Sequence, residues 1–169
     1  MTNEPASEHL RHKPFTQLDQ PRELVLACPS FKSQVNLSRI VRLAGCVAAE
    51  KIIACGSAKV DPTIARDGVD QVKIERRRTL LPVLKKLKQE NYRLVGLEQT
   101  DRSSKIFDYS FQRRTALVIG HERLGITDEE LAIVDDVIEI PVYGMPFSYN
   151  VVTATTMAVY EYCRQFPAG

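Results

Sequence analysis

The sequence predicts an α/β fold, a mostly parallel β-sheet covered by helices on both faces. Short apolar runs alternate with segments whose apolar residues recur at helical spacing, which is the pattern of successive strand–helix units. The chain has 169 residues, the size of one domain, and contains no internal repeat. Because the first 20 residues are polar and irregular, we expect an N-terminal arm or tail over residues 1–20 and a single domain over residues 21–169.

Each predicted strand is a short run rich in branched apolar residues, which favour extended backbone. These strands lie at residues 23–28, 51–55, 93–97, 115–119 and 136–140, with a further short strand at 71–75. Apolar residues at helical spacing predict helices at residues 37–49, 79–91 and 150–166. Thr127 and Glu130 form a capping-box pattern, which predicts a short helix between the last two strands.

Composition and cysteine spacing exclude several classes of protein. Hydrophobic residues make up 44% of the chain and charged residues 26%, as in ordinary soluble proteins. No apolar stretch approaches the roughly 20 residues that span a bilayer, and the polar N terminus lacks the apolar segment of a signal peptide. The four cysteines form no C-x-x-C pair and lie in apolar surroundings; they are Cys28, Cys46, Cys55 and Cys163. We therefore expect reduced thiols in a cytoplasmic protein without a metal site.

Basic residues are concentrated in residues 73–93, and two interpretations of them stay open. The eight bases there face only two acids, Glu75 and Glu90. Such a run is often the solvated face of a helix or strand. It is also typical of a strip that binds RNA phosphates, and Arg77 and Lys85 are then the candidate RNA-binding residues.

The C-terminal part of the chain places polar side chains at the start of a long apolar helix. The predicted strand 136–140 is followed by Pro141, Gly144 and Pro146, which stop regular structure. Ser148 or Asn150 is then a natural N-cap for the last helix. The free amides of a first helical turn favour electron-rich ligand groups. Taken alone, this segment is equally typical of an ordinary capped helix.

Three segments together resemble the motifs of the SpoU (TrmH-type) RNA 2′-O-ribose methyltransferases of the SPOUT class, in the order found in that family. Asn36 and Arg42 resemble the first motif, residues 117–125 the second and residues 138–165 the third. The resemblance implies a deep trefoil knot over about residues 94–162 that forms a pocket for S-adenosylmethionine. It also implies methyl transfer to the ribose 2′-hydroxyl of RNA, with tRNA expected ahead of rRNA.

The same resemblance assigns roles to individual residues. It implies a cofactor pocket formed by Leu97, Gly120, Ile140, Ser148, Tyr149 and Asn150. It implies a catalytic set of Arg42, Asn36, Glu122, Ser148 and Asn150. Arg42 is expected to hold a phosphate of the target nucleotide and to stabilise negative charge on the ribose oxygen. Whether it also acts as the base stays open, because an arginine normally remains protonated. Two positions depart from the family pattern, since Ser38 replaces a glycine and Tyr149 a leucine.

The last predicted helix is apolar on two faces, and this observation bears on assembly. One face carries Val151, Ala154, Ala158 and Tyr162, and the other carries Val152, Val159, Cys163 and Phe166. We expect one face to cover the sheet and the other to be buried by a partner, as in the homodimers of the family.

Two alternatives remain beside the methyltransferase interpretation. The first is a catalytically silent RNA-binding or assembly factor on the same fold, which the departures at Ser38 and Tyr149 keep open. The second is an unrelated nucleotide-binding α/β protein. It is disfavoured because the chain contains no G-x-G-x-x-G sequence and no lysine of a phosphate-binding loop after Gly125.

Overall fold

The computed structural model describes residues 9–10 and 13–169 of the chain. Seven strands form one sheet with the order β3-β2-β1-β6-β4-β7-β5, and all its pairings are parallel. The strands are β1 (Leu24–Cys28), β2 (Lys51–Cys55), β3 (Lys73–Arg77), β4 (Arg93–Leu97), β5 (Ser104–Lys105), β6 (Thr115–Ile119) and β7 (Asp136–Glu139). The predicted parallel sheet is therefore confirmed, and the strand that was not predicted, β5, has only two residues.

Among the described residues, five α-helices lie between strands and a sixth follows the last strand. They are α1 (Gln34–Cys46), α2 (Pro62–Ala65), α3 (Gly68–Gln71), α4 (Leu81–Gln89), α5 (Asp128–Leu131) and α6 (Val151–Gln165), with a 3₁₀ turn at Ile106–Asp108. The capping box of Thr127 and Glu130 is present at the start of α5. The sequence did not predict α2 and α3, because four residues are too few to produce a periodic apolar pattern.

Helix α1 begins earlier than the sequence predicted. Its N-cap is Ser33, whose hydroxyl accepts from the Asn36 amide at 3.2 Å. Asn36, which precedes the predicted helix of residues 37–49, therefore already lies inside the first turn. The polar residues before Leu37 hid this turn, because they add nothing to the apolar period.

Both faces of the sheet are covered, as predicted. On β1, Leu24, Leu26 and Cys28 face a core that is completed by α1 and α6. The alternate residues Val25 and Ala27 face a second core beneath α4. A strand buried on both faces cannot show apolar–polar alternation, which explains why these strands are continuous apolar runs.

Both apolar faces expected on α6 contribute to the core of the chain itself. Val159 and Tyr162, taken from the two predicted faces, are both fully buried in the same core. The helix lies against α1, β4 and the 3₁₀ turn. The other apolar residues of the two faces are only partly buried; they are Val151, Val152, Ala154, Cys163 and Phe166. The exposed side of α6 is formed mainly by Thr153, Thr156, Tyr160 and Arg164.

The amino ends of the strands carry ion pairs. Glu23, which precedes β1, accepts hydrogen bonds from Arg113 and Arg114, which precede β6. Arg93, at the start of β4, makes a bidentate pair of 2.7 and 2.9 Å with Asp136 at the start of β7. These pairs join strands that are neighbours or near neighbours in the sheet, and they fix the amino edge.

The described residues contain neither a helix suited to cross a membrane nor a cluster of metal-binding side chains. No helix there is long and apolar enough to cross a membrane. Within residues 9–10 and 13–169, no group of three or more His, Cys, Asp and Glu residues is arranged to hold a metal ion.

Candidate functional site

A cleft of ≈ 270 Å³ opens at the carboxyl ends of β4, β6 and β7, beside the start of α6. In parallel α/β sheets, this edge is where ligands bind. The walls include Leu97, Glu98, Gln99, Ile119, Gly120, His121, Glu122, Arg123, Gly125, Glu139, Ile140, Ser148, Tyr149, Val151 and Ala154. Five of the six residues predicted for the cofactor pocket, all except Asn150, are thus brought together here.

Glu98, which sequence analysis missed, fastens one wall of the cleft. Its carboxylate accepts from the amides of Gln99 and Ile126, each at 3.0 Å. It thereby ties the end of β4 to the turn of residues 121–125, where His121 and Gly125 exchange two backbone hydrogen bonds of 2.9 Å. The available signal was an acidic residue directly after a buried strand.

Glu98 also explains two glycines of the cleft. A Cβ at Gly125 would lie 2.4 Å from the Glu98 carboxylate, and the residue has φ +66. A Cβ at Gly120 would lie 3.0 Å from the same carboxylate and 3.1 Å from the Gly125 backbone. The protein itself therefore already fills the space that a side chain at Gly120 would need.

Glu122 joins the cleft to the start of α1. Its carboxylate accepts from the Asn36 side-chain amide at 3.2 Å, and from the amides of Ser33 at 3.2 Å and Lys32 at 3.4 Å. Burial raises the pKa of Glu122, but these hydrogen bonds outweigh burial and leave its pKa below the ordinary value. Glu122 is therefore ionised and holds the start of α1 next to the cleft. Asn36 and Glu122, which were both predicted for one site, are in contact.

Arg42 does not line the cleft. It is exposed on α1, about 9 Å along the helix axis from Asn36. Its backbone packs closely on α3, since a Cβ at Gly68 would lie 2.9 Å from the Arg42 Cα. Arg42 therefore lies on α1, the helix whose first turn is bonded to Glu122, and it lies outside the walls of the cleft.

Ser38 fits the regular path of α1 without distortion. Its hydroxyl donates to the Gln34 carbonyl at 2.6 Å and accepts from the Asp61 amide at 2.8 Å. The departure from glycine thus adds a link between α1 and the loop before α2.

The loop before α6 supplies the remaining predicted residues. Asn150 caps α6 by accepting from the Val152 amide at 2.9 Å, as one of the two expected caps. Ser148 and Tyr149 line the cleft, and Tyr149 is 41% exposed. The same loop exposes the apolar side chains of Tyr143, Met145 and Phe147.

One further acid and a histidine of the cleft were not predicted. Glu139 accepts from the Ser103 hydroxyl at 2.5 Å, which brings the loop after β4 over the end of β7. The His121 Nδ1 accepts from the Arg123 amide at 3.2 Å. His121 was inconspicuous in the sequence because a single histidine in a turn is common.

Much of the basic strip predicted at residues 73–93 is ion-paired. Arg77 pairs with Glu75 at 2.7 Å, and Glu75 also holds Lys73 at 3.0 Å. Lys88 pairs with Asp135 at 2.8 Å. Lys85 is exposed on α4. Arg77 and Lys85 thus lie outside the cleft, and the first of them already has a carboxylate partner.

Comparison with known proteins gives one family. The pattern of the SpoU rRNA Methylase family matches residues 23–160. The tRNA (guanosine(18)-2′-O)-methyltransferase of Aquifex aeolicus is 30% identical over 148 residues, which is 85% of this chain and 70% of that protein. The protein of the same name from Escherichia coli K12 is 31% identical over 133 residues, covering 77% of this chain and 58% of that one.

Solved structures show the same fold. The crystal structure of the A. aeolicus TrmH/SpoU tRNA modifying enzyme gives a TM-score of 0.81 at 28% identity, covering 88% of this chain and 77% of that chain. The SpoU methyltransferase AviRb from Streptomyces viridochromogenes, in complex with AdoMet, gives a TM-score of 0.75 at 25% identity, covering 90% and 64%. The chain spans 58% of the E. coli relative and only 5% of a mouse tRNA (guanosine(18)-2′-O)-methyltransferase with which it is 36% identical over 86 residues.

Proposed function

Because the chain belongs to the SpoU rRNA methylase family, we propose that it transfers a methyl group from S-adenosylmethionine to a ribose 2′-hydroxyl of RNA. The main support for the proposal is the cleft at the carboxyl edge of the sheet. Glu122, which lines this cleft, is hydrogen-bonded to Asn36 of α1, the helix that also contains Arg42. Relatives named as tRNA methyltransferases support tRNA as the substrate. A relative named as a 23S rRNA methyltransferase supports rRNA as the second choice.

The walls of the cleft fit S-adenosylmethionine. Leu97, Ile119 and Ile140 are buried apolar residues that suit an adenine ring. Glu98, Glu122 and Glu139 give the cleft acidic groups, which suit a ligand that carries a sulfonium and an ammonium group. When bound, this cofactor supplies a methyl group that is already activated by the sulfonium. The residues of the chain then have to bind it, orient the RNA and accept or release a proton.

Within this proposal, Glu122 is a positioning residue and Arg42 a catalytic one. Glu122 fixes the first turn of α1 through Asn36 and through the Ser33 amide. Arg42 would hold a phosphate of the target nucleotide and stabilise charge on the ribose oxygen. Ser148 and Asn150, at the start of α6, would contact the cofactor and the ribose, although Asn150 also caps the helix.

We further propose a homodimer, a trefoil knot and a cytoplasmic location. A second copy would cover the loop with exposed Tyr143, Met145 and Phe147. The knot would comprise residues 94–162 in the single domain of residues 21–169. The buried free thiols of Cys28 and Cys55 support a reducing compartment.

The proposed dimer is tested by light scattering, and the proposed knot is tested by mechanical unfolding of single molecules. A dimer is expected at micromolar concentration, and Phe147→Ser should weaken it while Tyr160→Ser, on the exposed side of α6, serves as the control. When the termini of a single molecule are pulled apart, a knotted chain extends less than its residue count allows. A monomer would contradict the first proposal, and full extension the second.

The activity is tested by mapping ribose methylation by mass spectrometry in RNA from cells with and without the gene. We expect a ribose methyl group that is missing without the gene and restored by the purified protein and S-adenosylmethionine. Calorimetry should show one S-adenosylmethionine site per chain that is unaffected by EDTA. Cofactor binding without any methyl transfer to tRNA or rRNA would favour the silent RNA-binding factor instead.

A further inference from the structure

We propose that RNA phosphates bind along a basic band at the carboxyl edge of the sheet, formed by Lys32, Lys59, Arg78 and Arg123. This inference rests on the proposed RNA methyl transfer and specifies which surface receives the RNA. It differs from the predicted pair of Arg77 and Lys85, which belongs to the strip at residues 73–93.

The order of strands makes these four residues a continuous band. Arg78 follows β3, Lys59 follows β2, Lys32 follows β1 and Arg123 follows β6. These strands are consecutive neighbours in the sheet, although they are widely separated in the sequence. With about 4.8 Å between strands, the band spans roughly 14 Å. It ends at Arg123, which is itself part of the cleft wall.

The four side chains are exposed and make no ion pair with an acid of residues 9–10 and 13–169. All four lie at exposed positions, and none makes an ion pair with a carboxylate of the part of the chain that the structure describes. Bases at the amino edge, such as Arg93 and Arg114, are in contrast paired. An unpaired exposed base is free to exchange its counterion for a phosphate.

Acidic residues of the same loops are already engaged. Asp61 caps α2 by accepting from the Thr63 amide at 2.8 Å, and Glu98 accepts from the Ile126 amide at 3.0 Å. Glu122 accepts from the Lys32 and Ser33 amides. These carboxylates therefore accept hydrogen bonds from backbone amides at this edge of the sheet.

Two loops that contain residues of the band are hydrogen-bonded to neighbouring segments of the protein. The Arg76 guanidinium donates to the Ala58 carbonyl at 2.6 Å, which fixes the residue before Lys59. The Glu122 carboxylate accepts from the Lys32 amide at 3.4 Å. Two of the four loops are thus tied to a neighbouring strand end, so their bases project from a defined edge.

The experiment compares two double variants that remove the same charge. Lys59→Ala with Arg78→Ala removes band residues that lie away from the cleft. Lys73→Ala with Lys86→Ala removes two exposed bases that are paired with Glu75 and Glu90. Binding of an in vitro transcribed tRNA is followed by fluorescence anisotropy across a series of KCl concentrations. Calorimetry with S-adenosylmethionine and thermal unfolding check that each variant is folded.

The band variant should bind the transcript roughly 10- to 100-fold more weakly, with the slope of log K against log salt reduced by about 2. The control should keep the wild-type slope, and both should bind the cofactor normally. In methyl transfer, the band variant should raise KM and leave kcat unchanged. A wild-type slope in the band variant, or an equal loss in the control, overturns the inference. If the wild-type protein transferred no methyl group to RNA, this would instead contradict the proposed function, whatever the binding data show.

Discussion

At the amino edge of the sheet Glu23 holds Arg113 and Arg114, and Asp136 holds Arg93 and Tyr109. At the carboxyl edge the bases that follow β1, β2 and β3 have no carboxylate partner in the described residues, and the carboxylates bind backbone amides of the loops. The same residue types thus join strands at one edge and remain available to a ligand at the other.

This difference indicates that charged residues stabilise the fold at the amino edge and bind ligand at the carboxyl edge. Removing one partner of a partly buried ion pair destabilises the fold, and salt screens such a pair less than an exposed one. Exposed unpaired bases add nothing to the fold, but they attract a polyanion. Substitutions at the amino edge should therefore change stability and leave function intact, and substitutions at the carboxyl edge should do the reverse.

The largest expected effect is on catalysis. Arg42→Ala should lower kcat/KM for methyl transfer by about 10²- to 10³-fold, because it removes a charge proposed to act on the reacting ribose. Cofactor affinity by calorimetry should be nearly unchanged, since Arg42 does not line the cleft. Turnover close to wild type at saturating tRNA would remove Arg42 from the mechanism. Arg39→Ala, an exposed base on the same helix, is the matched control.

The next largest effect tests the amino edge. Asp136→Asn should lower the free energy of unfolding by about 1–3 kcal/mol, because it weakens charge-assisted hydrogen bonds from Arg93 and one from the Tyr109 hydroxyl. Urea unfolding measures this loss, and methyl transfer below the transition should be normal. If activity fell as steeply as stability, the division between the two edges would be wrong.

The pH dependence of the same variant sharpens this test. Hydrogen bonds from Arg93 lower the pKa of Asp136, against the opposing effect of burial. A carboxyl whose folded pKa is lowered stabilises the protein above its unfolded pKa of about 3.9, and this contribution is lost as pH falls through the folded pKa. Wild-type stability should therefore fall below about pH 4, and Asp136→Asn should reduce that fall. Identical acid profiles for the two proteins would contradict the assignment.

A smaller effect is expected at the turn beside the cleft. Gly125→Ala should cost about 1–2 kcal/mol, because Gly125 has φ +66 and its new Cβ would displace the Glu98 carboxylate. The cofactor should bind more weakly in calorimetry, since this turn forms part of the wall. Gly144→Ala is the stability control, because a Cβ there would meet nothing within 4 Å. Equal losses in both variants would show that the Glu98 contact is unimportant.

The smallest effect is expected from an exposed pair. Lys86→Ala removes the pairing of Lys86 with Glu90 at 3.6 Å, which is solvent-exposed. Surface pairs of this kind contribute less than about 1 kcal/mol. Stability should change by no more than about 0.5 kcal/mol, and tRNA affinity should be unchanged. A marked loss of RNA binding would contradict the assignment of RNA binding to the basic band, because Lys86 belongs to the control variant.

Much of the fold could be predicted from the sequence because local patterns decide it. The strands β2, β4 and β6 have the predicted bounds, since burial on both faces leaves a nearly continuous apolar run in each strand. The capping of α6 by Asn150 and the capping box of α5 follow from side chains that act within three residues. The start of α1 was misplaced because its first turn is polar and so lacks an apolar signal.

The sequence by itself therefore determined the alternation of strands and helices, and the motifs that contain Asn36, Glu122 and Ser148. Only the tertiary structure decided which loops meet. It brought Glu98 against Gly125, joined Glu122 to Asn36 across 86 positions, and placed residues from both apolar faces of α6 in one core. It also aligned Lys32, Lys59 and Arg78 along one edge, because strand order, which no local pattern encodes, places distant segments side by side.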